Sequence, residues 1–314
     1  MKKLLLITCV SLFSGVYGQQ IALNSQYLFN EMLVNPGATG SKEYIPIQMN
    51  FRKQWAGFPG APTTQSLSAH ADLGSNFGFG GTFFNDVAGP SRRSGLNING
   101  AYHLRLDRKG DHRLGLGLGV SLTQHMMDAS QMETYLPEDP AVMRGFNNQM
   151  VPDVNFGAYY YFKDKAFVGL SAHNLVELKR DLYQFNDVFV NPLVRTYYLL
   201  GGYNFSFDND FGIKLTGLGQ MIETTTLQFD LTAIATYKNR FWLGGSYRHM
   251  DAVVILGGVQ FGPFKCGYAY DYTLSDIINH STGSHEIFLE LQIFQGGSGS
   301  TPWLKRNRIY APRI

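Results

Sequence analysis

The charged side chains that could do chemistry in this chain are Arg52, His70, Asp72, His103, Arg105, Lys214, Asp230, Arg248, Lys265, Asp271, Glu286 and Glu290. Acids and bases are mixed among them. That mixture suits mutual ion pairing in a shared interior better than the single-sign ring of an ion-selective pore. Both readings stay open at the level of sequence, as a charge network filling an interior or as the lining of a passage. Catalytic signatures are not found: the chain carries no G-x-S-x-G, H-E-x-x-H, P-loop or C-x-x-C. The eight histidines, His70, His103, His112, His125, His173, His249, His280 and His285, are scattered without metal-ligand spacing. The expectation is a protein that is not an enzyme and uses no cofactor or metal.

The elements that must position these residues show in a period of two. Leu114, Leu116, Leu118, Val120 and Leu122 share one parity, and Gly115, Gly117, Gly119, Ser121 and Thr123 share the other. Successive side chains of a strand point to opposite faces, so this segment has one aliphatic face and one small, polar face. A helix would spread the same leucines around its whole circumference. The pattern recurs from Phe77, Phe79, Gly81 and Phe83 to Ile287, Leu289, Leu291 and Ile293, and the ionisable residues named above fall on the polar parity. About fourteen such segments fit between residues 43 and 294, each near the ~9–11 residues of a tilted membrane strand.

Composition agrees with that count. Charged residues are 16% of the chain, aromatics 14%, and glycines number 35. Ordinary soluble domains carry about 25% charge. In a soluble sandwich or lipocalin-like barrel the polar parity would face water, but here it is Gly, Ser, Thr and Asn with sparse charge. Tight polar turns at Gly74-Ser75, Asp107–Asp111, Lys163–Lys165, Asp208–Asp210, Lys238–Arg240 and Gly262-Pro263 alternate with mostly longer links. Those links are 54–61, 86–92, 126–151, 175–191, 223–225, 249–251 and 274–283. Outer-membrane barrels alternate short periplasmic turns with longer external loops. The fold class expected is all-β: a transmembrane antiparallel β-barrel of about fourteen strands, with both termini periplasmic.

Residues 1–18 read as a secretory signal, with Lys2 and Lys3, an apolar run from Leu4 to Phe13, and Gly18 before a cleavage site at Gln19. The apolar run is too short for a spanning helix. Cys9 raises a lipoprotein alternative, which Thr8 before it disfavours. The domain plan is therefore 1–18 signal peptide, 19–42 N-terminal periplasmic segment, 43–294 outer-membrane barrel and 295–314 basic C-terminal periplasmic tail. The net charge of +2 does not point to nucleic acid.

Local motifs sharpen the reading. Gln26-Tyr27-Leu28-Phe29-Asn30-Glu31 runs into Asn35-Pro36-Gly37-Ala38-Thr39-Gly40, and Arg52-x-Gln54-Trp55-x-Gly57-Phe58-Pro59-Gly60-Ala61-Pro62 spans the first hairpin. Pro152-Asp153-x-Asn155-Phe156-Gly157, Tyr247-Arg248-x-x-Asp251-Ala252 and Gly267-Tyr268-Ala269-Tyr270-Asp271-Tyr272 follow. Together they resemble the PorP/SprF family of the Bacteroidetes over nearly all of the chain beyond the signal. The resemblance implies an integral outer-membrane component of type IX secretion and gliding motility, set in outer-membrane lipid. It would associate with a periplasmic PorK/PorN ring and a PorE-like peptidoglycan-binding protein, or serve export of a surface adhesin. The PorP-like branch is slightly favoured by the basic tail. Candidate partner-binding residues are Trp303, Lys305, Arg306, Arg308 and Tyr310. A candidate external loop comprises Trp55, Phe58, Pro59, Gly60 and Pro62. The alternative function is a passive outer-membrane pore or hydrophobic-solute channel.

Overall fold

A computed structural model describes residues 25–128, 147–176, 194–207, 210–222 and 227–294. Fourteen strands close into one antiparallel barrel. In chain order they are β1 (Ile45–Lys53), β2 (Thr63–Asp72), β3 (Phe77–Ala88), β4 (Ser91–Arg105), β5 (His112–Met127), β6 (Asn147–Phe162) and β7 (Ala166–His173). They continue as β8 (Thr196–Ser206), β9 (Phe211–Ile222), β10 (Leu227–Tyr237), β11 (Phe241–Arg248), β12 (Ala252–Phe261), β13 (Phe264–Thr273) and β14 (Ser284–Ile293). Each strand pairs with its chain neighbours, and β1 closes the cylinder on β14 from Ile45↔Ile293 to Lys53↔His285. Closure leaves no sheet edge, which is the condition for a sheet to cross hydrocarbon.

The period-two reading of β5 holds side chain by side chain. Leu118 and Val120 are each 55% exposed, while Gly117 and Gly119 are buried in the lumen. The outward face is a band of exposed aliphatic side chains interspersed with aromatics such as Phe83 and Phe156. It ends at the short-turn rim in exposed aromatics such as Phe207, Phe211, Phe261 and Phe264, the girdle expected at a membrane boundary. Leu118→Arg should therefore cost about 2–4 kcal/mol of barrel stability at the bilayer midplane. Unfolding of the barrel in vesicles by denaturant measures it. An unchanged midpoint would reverse the facing assignment.

Some connections differ from the expected lengths. The link expected over 86–92 is only Gly89-Pro90, because the β3–β4 ladder runs on to Ala88↔Ser91. Pro90 marked the break, but the pairing continued up to it from both sides. β4, β5 and β6 have 15, 16 and 16 residues, longer than hydrocarbon alone requires. At the long-connection rim the Trp55–Pro62 loop is tied to two neighbours. Ala56 N–H donates to the Gly283 carbonyl at 2.7 Å, Thr282 N–H to the Ala56 carbonyl at 2.8 Å, and Gly89 N–H to the Gly60 carbonyl at 2.8 Å.

The largest difference lies before β1. The sequence places 19–42 outside the barrel, whereas from Ser25 onward this stretch packs inside the lumen. Tyr27, Leu28 and Met32 are each 1% exposed. Three single turns of 3₁₀ helix, Tyr27–Phe29, Glu31–Leu33 and Pro36–Ala38, carry the chain down the cylinder. Ser25 sits beside Arg52, Arg248 and Glu286, at the long-connection ends of β1, β11 and β14. Gly40 sits against Gly78 and Ala71, at the short-turn ends of β3 and β2. The described chain thus starts at one rim and finishes, after β14, at the other.

Candidate functional site

The lumen plug is held by three kinds of contact, each supplied by the inward parity of the strands. The first is a buried ion network around Ser25. Arg52 donates from Nη2 to Asp271 Oδ2 at 2.8 Å and from Nη1 to Glu286 Oε2 at 2.9 Å. Arg248 donates from Nε to Asp230 Oδ1 at 3.1 Å and from Nη1 to Asp271 and Asp251, both at 3.3 Å. Ser25 is the plug's entry into this network. Its hydroxyl donates to Asp271 Oδ2 at 2.7 Å and accepts from Arg52 Nη1 at 2.7 Å, and its N–H donates to Glu286 Oε2 at 2.7 Å. Charges this deep are tolerable only because every one is paired and hydrogen-bonded.

The second kind of contact grips the plug's main chain. Lys214 Nζ donates to the Leu28 carbonyl at 3.0 Å and Gln48 Nε2 to the Phe29 carbonyl at 2.7 Å. Ser171 Oγ and His173 Nε2 both donate to the Val34 carbonyl, at 2.6 and 2.7 Å. His103 Nε2 donates to the Thr39 carbonyl at 2.8 Å, and His70 Nδ1 accepts Gly40 N–H at 3.0 Å. These bonds satisfy main-chain groups of a buried segment that its own short turns leave unmet.

The third is steric. Asn35 folds its side chain back to accept Gly37 N–H at 2.8 Å, and its amide donates to the Ala158 and Leu170 carbonyls at 3.0 and 3.1 Å. The Asn35-Pro36-Gly37 turn then lies on Gly115, Gly117 and Gly157, where an added Cβ would come within 3.0 Å of plug atoms. The glycine parity of β5 and β6 is the seat of this turn.

Two further charges complete the plug. Glu31 pairs with Lys42 at 2.8 Å and faces Lys214 at 3.7 Å. The two ammonium groups offset the cost of burying the Glu31 carboxylate. Lys265 Nζ lies 3.8 Å from the centre of the Phe29 ring and 4.9 Å from that of Trp242, an aromatic cage that fastens the plug from the side.

The residues singled out in the sequence divide accordingly. Arg52, Asp230, Arg248, Asp271 and Glu286 meet in the network, Lys214 grips the plug, and Glu290 accepts from Gln48 and Gln292. Asp72 and Arg105 stand apart from it. Asp72 accepts Gly74 N–H at 2.8 Å in a turn, and Arg105 is exposed at the rim, donating to Asn76 at 3.0 Å. Of the candidate loop, Phe58 is exposed and Trp55 half-buried, with Trp55 N–H donating to Ser284 Oγ at 3.1 Å. Trp303, Lys305, Arg306, Arg308 and Tyr310 lie outside the described residues. The sequence reading missed Ser25, Glu31, Gln48 and Ser171. The available signal was the Gln26–Gly40 motif itself, too elaborate for a connecting segment.

No curated protein matches the chain. Among solved structures the barrel is similar to a toluene transporter, TbuX, of Ralstonia pickettii, with TM-score 0.48, 10% identity, and coverage of 84% of this chain and 92% of that one. It is similar also to the CymD monoaromatic hydrocarbon channel, with TM-score 0.47, 13% identity, and coverage of 90% and 96%. A family model described as type IX secretion system membrane protein PorP/SprF matches residues 16–291. The match takes in the plug, the network and all of the strands but the last two residues of β14, and the chain belongs to the PorP/SprF family of outer-membrane components of type IX secretion.

Proposed function

We propose that the protein is a non-enzymatic anchor, fixing periplasmic parts of the type IX machinery to the outer membrane. Its partners in this reading are a PorK/PorN ring and a PorE-like peptidoglycan-binding protein, or a surface adhesin whose export it serves. The observation that carries the reading is the filled lumen. A barrel whose interior is occupied by its own chain, locked by buried ion pairs, is a rigid body suited to bearing load rather than to passing solute. The short-turn rim is taken as periplasmic, with residues 1–18 removed on export.

The contact is assigned to the basic tail. Trp303 would serve as its aromatic anchor, flanked by Tyr310, with Lys305, Arg306 and Arg308 meeting carboxylates, since aromatic and Arg side chains dominate binding hot spots. Purification of the full chain in mild detergent should bring the periplasmic ring proteins with it, and the yield should fall with added salt. Deleting 301–314 should leave a folded, heat-modifiable barrel, because all fourteen described strands remain, while ring proteins and secretion of cargo fall to background. Full secretion by the truncated chain would remove the tail from the account. A full chain that brings down no ring protein would contradict the anchoring role.

A further inference from the structure

The outward face is not uniform where it meets the long connections. On β7 to β13 the outward strand positions nearest that rim are apolar or aromatic, as at Tyr197, Met221, Leu227, Tyr247 and Tyr272. On β14, β1 and β4 they are His285, Lys53 and Arg92. The register gathers these cations on one side of the barrel. Lys53 pairs with His285 on one flank and with Thr63 on the other, and Thr63 leads through Val87 to Arg92. At ~4.8 Å per strand, Lys53 and Arg92 stand about 14 Å apart along the sheet. One row nearer the apolar band lie Gln65, Asn85 and Ser94, side by side on β2, β3 and β4. The next row, Leu67, Phe83 and Leu96, is apolar and exposed. The patch thus sits where hydrocarbon gives way to headgroups.

Its charges are uncompensated by the chain. Lys53 and Arg92 are exposed and form no ion pair with any described residue. The carboxylates of the same strand ends, Asp86 and Glu286, face the lumen, where Arg93 and Arg52 hold them. Arg92 is aimed rather than loose. Its Nε donates to Asn85 Oδ1 at 2.8 Å, and Ser94 Oγ donates to the same oxygen at 2.9 Å, so both Nη groups are left for an acceptor. His285 Nδ1 bonds the Tyr268 hydroxyl at 2.5 Å, and its Nε2 has no partner among the described residues. Gln65 and the Asn85 amide nitrogen add uncharged donors between the cations. Cations suit phosphate, and amides between them suit hydroxyls, so the patch fits a phosphorylated sugar better than the single phosphate of a phospholipid. We propose that Lys53, Gln65, Asn85, Arg92 and His285 bind the headgroup of a phosphorylated glycolipid of the outer leaflet, an acylated disaccharide of the lipid A class. The leaflet rests on the orientation taken above, with the short turns periplasmic. The binding does not rest on the anchoring role.

The test is native mass spectrometry of the purified full chain in detergent, titrated with bisphosphorylated lipid A. The chain should retain the glycolipid saturably. Lys53→Gln combined with Arg92→Gln should weaken retention about tenfold or more. Either single substitution keeps the experiment decisive if the pair does not fold, folding being checked by heat-modifiable migration. Lys238→Gln combined with Arg240→Gln removes the same charge from exposed positions at the short-turn rim, and should leave retention unchanged. Dephosphorylated lipid A and phosphatidylglycerol should both compete poorly. No saturable retention, equal retention by the Lys53 and Arg92 variants, or competition by phosphatidylglycerol as effective as by lipid A would overturn the proposal. Neither secretion nor ring proteins enter these readouts, so failure here is distinguishable from failure of the anchoring role.

Discussion

Arg52→Ala should be among the most destabilising single substitutions in this barrel. The guanidinium is 1% exposed and bridges Asp271 to Glu286, which is 0% exposed, while also donating to Ser25. Removing it leaves two carboxylates facing each other in the lumen. Glu286 would keep Asn50 Nδ2 and the N–H groups of Ser25 and Gln26, and Asp271 would keep Arg248 at 3.3 Å, but neither would keep its closest countercharge. Breaking a buried pair by deleting one partner costs about 3–5 kcal/mol, mostly because the remaining charge is stranded. The folded band on unboiled electrophoresis should convert at a markedly lower temperature. Pairing Arg52→Met with Glu286→Gln should recover part of the loss, since the uncompensated charge goes with it. An Arg52→Ala protein that unfolds with the parent would show that the network bears no weight.

Gly117→Val should unseat the plug without touching the lipid face. The new Cβ would come within 3.0 Å of Pro36 C and O and of Gly37 N, all main-chain atoms with no flexible end to yield. The barrel wall is fixed by the ladders to β4 and β6, so the 3₁₀ turn must move. Amide hydrogen exchange across 25–42 should rise about tenfold or more while strand amides keep their protection. The outward neighbour Leu118, replaced by Ile, should change neither. Unchanged exchange in the plug would mean that the glycine parity is not its seat.

Much of the barrel was legible before any coordinates. The alternation in Leu114–Thr123 assigned Leu118 outward and Gly117 inward, and the inward parity gathered Arg52, Asp230, Arg248, Asp271 and Glu286 on one interior. Period two is a local property of a strand, so one segment suffices to show it. The plug was not legible because nothing local determines it. Residues 25–42 have neither strand alternation nor helical periodicity, and their fold is set by contacts such as Ser25 with Glu286, 261 residues away in sequence. For the same reason the histidines looked scattered. His70, His103 and His173 sit on three different strands, and only the plug's main chain, at Gly40, Thr39 and Val34, brings them to one task. Asp72 and Arg105 were grouped with the network by parity alone. Their positions next to turns put them at the rim, beyond the reach of the other charges.

The account stands or falls on the lumen being filled by residues 25–42. Single-protein conductance in a planar bilayer measures that directly. The full chain should hold the membrane closed, and a chain lacking residues 25–40 but retaining every strand should give a steady open pore. A full chain that conducts as well as the shortened one would contradict the account and return the protein to a passive channel.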